Sequence, residues 1–236
     1  MTSPLVEHAI AAHGGRSLWQ SIESIRLPVL RGSGILLTFK GYPHTFPLPR
    51  EYEAFPHQYT TVFHGYPDES HRGRYSNGNV SIETTGGGCI IQQSQDHRRT
   101  FAGFAKLRRW SPLDALYFFG YALAHYHALP FTLDKACLHR VLENGVYVVF
   151  PPDVVTHSRR QRFYFGPDGR IVRHDYVADV IGPMARGAHF WEDYDCCGGL
   201  LIARRRRVVA RLGSYPLPLE VLRVQLGQPR ITYRGA

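Results

Sequence analysis

Lysine is scarce in this chain of 236 residues, cysteine is limited to four, and no apolar run is long enough to cross a bilayer. Each shortage excludes something. Cys89, Cys137, Cys196 and Cys197 form no C-x-x-C pair, and the adjacent Cys196-Cys197 is not a zinc-ribbon spacing. Adjacent cysteines such as Cys196 and Cys197 rarely bond to each other, because the geometry is strained. A reducing, cytoplasmic setting is the expectation. The segment nearest to a membrane span, residues 110–129, is interrupted by Asp114, His125 and His127, so no span is predicted. The opening residues carry neither a basic cluster nor a long apolar run, and read as no secretory signal.

Catalytic signatures are missing too. There is no Gly-x-Ser-x-Gly elbow for a nucleophilic serine. Gly86-Gly87-Gly88 lacks the Lys and Ser/Thr that complete a phosphate loop, and no Rossmann glycine pattern follows a strand. No cofactor is therefore expected. Thirteen histidines invite a metal. Yet His125 and His127 are two apart in a helical segment, on different faces, whereas a zinc pair needs a spacing of four. His157, His174 and His189 would have to converge from separate strands, and no metal is predicted.

What the chain does have is positive charge, at +9 from 28 Lys and Arg against 19 Asp and Glu, nearly all of it arginine. Such a field attracts anions over long distances. No zinc finger, RNA-binding aromatic motif or basic tail turns it into nucleic-acid recognition. The densest run, Arg204–Arg207, falls in a predicted strand, where alternate side chains face opposite sides of the sheet. Nucleic acid is accordingly not an expected partner.

Residues 111–128 read as a helix that is apolar on every face, and such a helix must be enclosed on all sides. Ser111-x-x-Asp114 resembles a capping box at its start. Pro4 after Ser3, with Gly14-Gly15 beyond, predicts a short N-terminal helix, and a further helical turn follows at Ser17–Gln20. Most of the rest alternates as strand: 22–40 with a bulge or kink near Pro28 and Gly32–Gly34, then about 50–64, 71–76, 79–84, 89–93 and 137–150. The clearest strands are 156–165 and 170–180, joined by Gly166-Pro167-Asp168-Gly169, followed by 188–194 and 200–212. The expected fold is mainly β (α+β). A curved antiparallel half-barrel of about ten strands wraps a central apolar helix, in one domain over residues 1–236.

The turn at 166–169 permits a parity argument. If Phe165 pairs with Arg170, then Gln161 lies opposite His174 and Arg159 opposite Tyr176. His157, Arg159, Gln161, His174 and Tyr176 then share one face. The opposite face would carry Arg160, Arg162, Arg173 and Asp175. On the helix, Asp114, Phe118, Tyr121 and His125 follow one stripe at spacings of four, three and four. Imidazole, phenol and guanidinium groups beside aromatic rings can hold a carbonyl or carboxylate, and histidine moves protons near neutral pH.

Several segments resemble uncharacterised bacterial proteins of the LolA/LppX-like lipoprotein-carrier fold. They are His13-Gly14-Gly15, Leu116–Ala122 with Pro130-Phe131 behind it, Thr156–Arg159, Tyr164-Phe165, Arg173–Tyr176 and Ala188-His189. The resemblance implies a half-barrel with a hydrophobic cavity, which the carriers use for acyl chains. The carriers are secreted, whereas this N-terminus does not read as a signal.

The expected function is binding of a small hydrophobic molecule carrying a carbonyl or carboxylate. Phe118, Tyr121 and aromatics of the sheet would line the cavity, and His157, Arg159 and His174 would hold the polar end, with Gln161 a further ligand contact. The alternative is a cofactor-independent isomerase, cyclase, lyase or hydrolase, in which His174 or His125 serves as acid or base and Tyr176 or Arg159 stabilises an oxyanion. A structural β module needs only the exposed arginine face. Oligomeric state is not legible in the sequence.

Overall fold

The computed structural model describes residues 3–235. Three of its four helices open the chain or interrupt its first strands: α1 (Pro4–Ala12), α2 (Gly15–Ser21) and α3 (Ile35–Lys40). The fourth, α4 (Pro112–Ala128), is the predicted apolar helix. The strands are β1 (Ile22–Ser33), β2 (Glu51–Phe55), β3 (Thr60–His64), β4 (His71–Ser76), β5 (Asn79–Thr84), β6 (Ile90–Ser94) and β7 (Cys137–Leu142). They continue with β8 (Gly145–Val149), β9 (Arg160–Phe165), β10 (Ile171–Val177), β11 (Arg186–Cys197), β12 (Leu200–Leu212), β13 (Tyr215–Leu226) and β14 (Arg230–Tyr233).

All fourteen strands join one antiparallel sheet, in the order β6-β5-β4-β3-β2-β1-β13-β12-β11-β10-β9-β8-β7, with β14 beside β1. Each half is a meander of hairpins. The two halves meet at β1, whose first part pairs with β14 and whose last part pairs with β13. The sheet is open and curved around α4, as expected, but it has more strands than the ten anticipated.

Two sequence expectations are corrected here. The strand predicted over 22–40 stops at Ser33. Gly34 has φ +125°, and a Cβ there would meet the Val221 carbonyl oxygen at 2.5 Å, so the chain turns away. Ile35–Lys40 then coils with Leu36, Leu37 and Lys40 buried and Ile35 and Phe39 exposed, a helical rather than an alternating pattern. The second correction is β13, which was not among the predicted strands and contains Pro216 and Pro218. Both lie where β13 pairs with β12 alone, since its pairing to β1 covers only Val224, Gln225, Leu226 and Arg223. Proline is tolerated in such an edge stretch.

Helix α4 begins at a complete capping box. Ser111 Oγ accepts from the Asp114 backbone N–H, and the Asp114 carboxylate accepts from the Ser111 N–H at 2.9 Å. It ends before Leu129-Pro130, because a residue preceding proline avoids the helical region. Two glycines set how closely it approaches the sheet. A Cβ on Gly120 would sit 2.4 Å from Tyr75 Cβ, and one on Gly73 of β4 would sit 2.9 Å from Leu116. Thr61 Oγ1 donates to the Gly120 carbonyl, and Tyr66 Oη donates to that of Pro112 at 2.6 Å. These contacts seat one side of α4 on β3 and β4. Its opposite side faces β9–β12.

Candidate functional site

Between α4 and the strands β1, β12 and β13 lies a narrow, almost wholly apolar cavity of about 60 Å³. A second crevice of about 130 Å³ adjoins it, and the two share Phe118, Tyr176, Val208 and Leu222 as walls. Phe119 and Leu123, two half-buried residues of α4, line the first cavity from the helix side together with Phe118, Ala122 and Tyr126. One end is polar: Tyr126, His157, Tyr176, His189 and Arg206 meet there.

His157 is held between two phenols. Tyr121 Oη lies 2.8 Å from Nδ1 and Tyr126 Oη 2.5 Å from Nε2, while the Tyr176 ring stacks on the imidazole at 4.1 Å. A neutral imidazole has one donor and one acceptor nitrogen, so one phenol donates to it and the other accepts. His174 lies behind this layer, stacked on Phe163 at 4.4 Å. Gln161 donates from Nε2 to Thr156 Oγ1 and to the Ser158 carbonyl, which leaves its Oε1 to accept from His174 Nε2–H. His174 Nδ1 is then bare and buried, and neither it nor either nitrogen of His189 has a partner among the described residues.

Burial keeps all of these groups uncharged. It pulls His157, His174 and His189 well below the ordinary imidazole range, reinforced by neighbouring imidazoles and, for His174 and His189, by the Arg206 cation. His125 falls to about 4 by burial, opposed by Gln161. Burial also raises the phenols, Tyr176 to about 12. Arg206 is therefore the charged side chain at this end of the cavity, and it is 6% exposed. Its guanidinium lies 3.6 Å from the Trp191 ring centroid and 5.5 Å from that of Tyr126.

Sequence parity brought most of the predicted residues together although the register it assumed was wrong. His174 lies opposite Phe163, not Gln161, because Ile171 rather than Arg170 pairs with Phe165 and a bulge follows between Ile171 and Arg173. Two one-residue slips make an even shift, so the face is preserved. His157, Gln161, His174 and Tyr176 do lie inside, and Asp175 points the other way, to Arg173 and Arg211. Arg159 is a correction. It precedes β9, outside the alternation, is exposed, and donates from Nε to the Phe150 carbonyl. Phe118 lines the cavity and Tyr121 reaches His157. His125 packs edge-on against Phe150 and, like His174, is not among the residues lining the cavity. Asp114 leaves the helix stripe to cap α4, 3.0 Å from His97 Nε2 and 2.5 Å from Arg108 Nη2. Burial opposes its ionisation, but these bonds outweigh it and hold the carboxyl well below the usual range.

Arg206 and His189 are the residues that sequence reasoning missed as ligand contacts. The run Arg204–Arg207 carried the signal for the first, since strand alternation sends one or two of its members inward. Among the described residues no three of His, Cys, Asp or Glu are grouped to hold a metal ion, and no helix is long and apolar enough to cross a membrane.

No protein-family model and no curated protein matches the chain. Among solved structures, a LolA superfamily protein from Nitrosomonas europaea is similar, with a TM-score of 0.50 and 11% identity over 98% of this chain and 94% of that one. A DUF1329 family protein from Desulfovibrio piger aligns over 100% of this chain and 95% of its own, with 13% identity and a TM-score of 0.44. The first likeness shows a LolA-like fold, in agreement with the resemblance read from the sequence.

Proposed function

We propose that the protein binds a small, elongated hydrophobic molecule along α4, with the polar end of the ligand among Tyr126, His189 and Arg206. The observation that carries this reading is the coincidence of an apolar cavity with buried polar atoms that have no partner among the described residues: His189 Nδ1 and Nε2 and Arg206 Nε and Nη1 on its wall, and Trp191 Nε1 against Arg206. Buried polar groups are nearly always hydrogen-bonded, and several orphans in one place mark a site that a ligand or water completes. The LolA-like fold supplies the architecture only. A reducing, cytoplasmic location suits the four unpaired cysteines.

The test is saturable binding of a neutral apolar fluorophore, N-phenyl-1-naphthylamine. One-to-one binding is expected, weakened at least tenfold by Ala122→Phe, which fills the cavity from α4. No saturable binding to the unaltered protein refutes the reading.

A cofactor-independent enzyme on the same cavity is the second reading, favoured by one observation: a neutral, unpartnered imidazole, His189, lines the cavity next to Tyr126. In that role His189 is better placed than His174 or His125. Turnover that survives His189→Gln unchanged removes it.

A further inference from the structure

Three of the four consecutive arginines on β12 have carboxylate partners. Arg204 pairs with Asp193 and Asp195, and both Arg205 and Arg207 pair with Glu192. Arg206, the most buried of the four, has no ion pair among the described residues, and its Nε and Nη1 have no hydrogen-bond partner. The rings of Trp191 and Tyr126 lie against it, and the titratable groups within its electrostatic reach are Tyr52, Tyr194, His13, His127, His174 and His189, none of them an acid. Cation–π contact with Trp191 and Tyr126 offsets part of the cost of burying the charge, but supplies no acceptor for the N–H groups. An arginine cannot escape by losing its proton, because its intrinsic affinity for it is too high.

We propose that Arg206 is the counter-ion for a carboxylate on the ligand, so that the protein binds apolar acids of the fatty-acid type. This rests on the binding reading above and names the headgroup. A carboxylate matches a single guanidinium in charge and brings two acceptor oxygens, which Tyr126 and His189 can share with it. A phosphate monoester carries nearly twice the charge and more oxygens than this one cation and its neutral neighbours can satisfy. The same cation explains the composition of the site's end: it has donors in excess and no acid, the reverse of what a cationic or purely neutral ligand requires.

The experiment displaces bound N-phenyl-1-naphthylamine with decanoate, decan-1-ol and decyl phosphate at pH 7.5, each below its micelle concentration. Decanoate is expected to compete at concentrations at least tenfold lower than decanol, with decyl phosphate weaker than decanoate. In Arg206→Met the decanoate-to-decanol ratio should fall to about one, while Arg206→Lys keeps a preference for the acid. Equal competition by decanoate and decanol on the unaltered protein overturns the assignment of Arg206, and so does a preference that survives Arg206→Met. Tighter competition by decyl phosphate replaces carboxylate with phosphate and overturns the ligand class. These outcomes leave the cavity reading standing. Absence of fluorophore binding removes both. Because the wild-type ratio alone can refute the proposal, a variant that fails to fold does not shelter it. As an independent readout, ligand-free Arg206→Met should melt at a higher temperature than the unaltered protein, since it no longer buries an uncompensated charge.

Discussion

Acid should unfold this protein well above the range in which its carboxylates titrate. Besides His97, which lies 3.0 Å from the Asp114 carboxylate, six histidines are buried: His13, His125, His127, His157, His174 and His189. Burial lowers each one, to about 4 for His13 and His125 and about 3 for His127, and well below the ordinary value for the other three. In the unfolded chain all six titrate near 6.5. The unfolded state thus binds more protons below pH 6.5, so stability is fully present above that value and declines as pH falls towards the folded values. Each histidine removes about 1 kcal/mol between pH 6.5 and 5.5, and about 1.4 kcal/mol per unit below that. Six acting together remove about 6 kcal/mol over the first unit, against a typical total of about 5–15 kcal/mol. Urea unfolding followed by circular dichroism at pH 8, 7, 6.5, 6 and 5.5 should give a flat stability down to pH 7 and a steep fall below 6.5. Proton uptake on unfolding should approach six at pH 5, and His125→Phe should reduce it by one. A stability that changes by less than about 2 kcal/mol between pH 6.5 and 5.5 would mean that the imidazoles are not buried neutral groups, and the account of the site's electrostatics would fail.

Three further outcomes test the packing around α4. Gly120→Ala should destabilise by about 1–3 kcal/mol through the clash with Tyr75, despite alanine's better helix propensity; a gain in urea midpoint would contradict the close approach of helix and sheet. Asp114→Ala removes the capping box and leaves His97 and Arg108 without their carboxylate, so a loss of about 2–4 kcal/mol is expected by thermal melting, with Asp114→Asn retaining part of the cap. Tyr121→Phe and Tyr126→Phe each leave one nitrogen of His157 unpartnered and should cost about 1–3 kcal/mol, measured by urea unfolding; no loss in either would show that the phenols do not hold the imidazole.

Local chemistry was legible wherever a rule acts over a few residues. The capping box of Ser111 and Asp114, the proline at the start of α1 and the Gly166–Gly169 turn each follow from neighbouring side chains, and the structure has them where the sequence places them. Face membership on β9 and β10 also survived, because strand alternation is robust to an even slip in register. Residues 35–40 were misread because a short apolar run between glycines is compatible with strand or helix, and only the crowding of Gly34 against Val221 decides between them. β13 was not among the predicted strands, and the tolerance of its two prolines depends on having a free side, which is a property of the sheet and not of the segment.

The sequence by itself determined that an all-apolar helix must be enclosed by curved sheet, since water would otherwise meet every one of its faces. It also determined that one face of β9 and β10 would collect imidazole and phenol. Only the tertiary structure decided which arginine enters the cavity. Arg204, Arg205 and Arg207 find acids on β11, and Arg206 is set against Trp191 with none. Pairing across strands is a long-range choice, and no local pattern in four consecutive arginines distinguishes the one left without a partner.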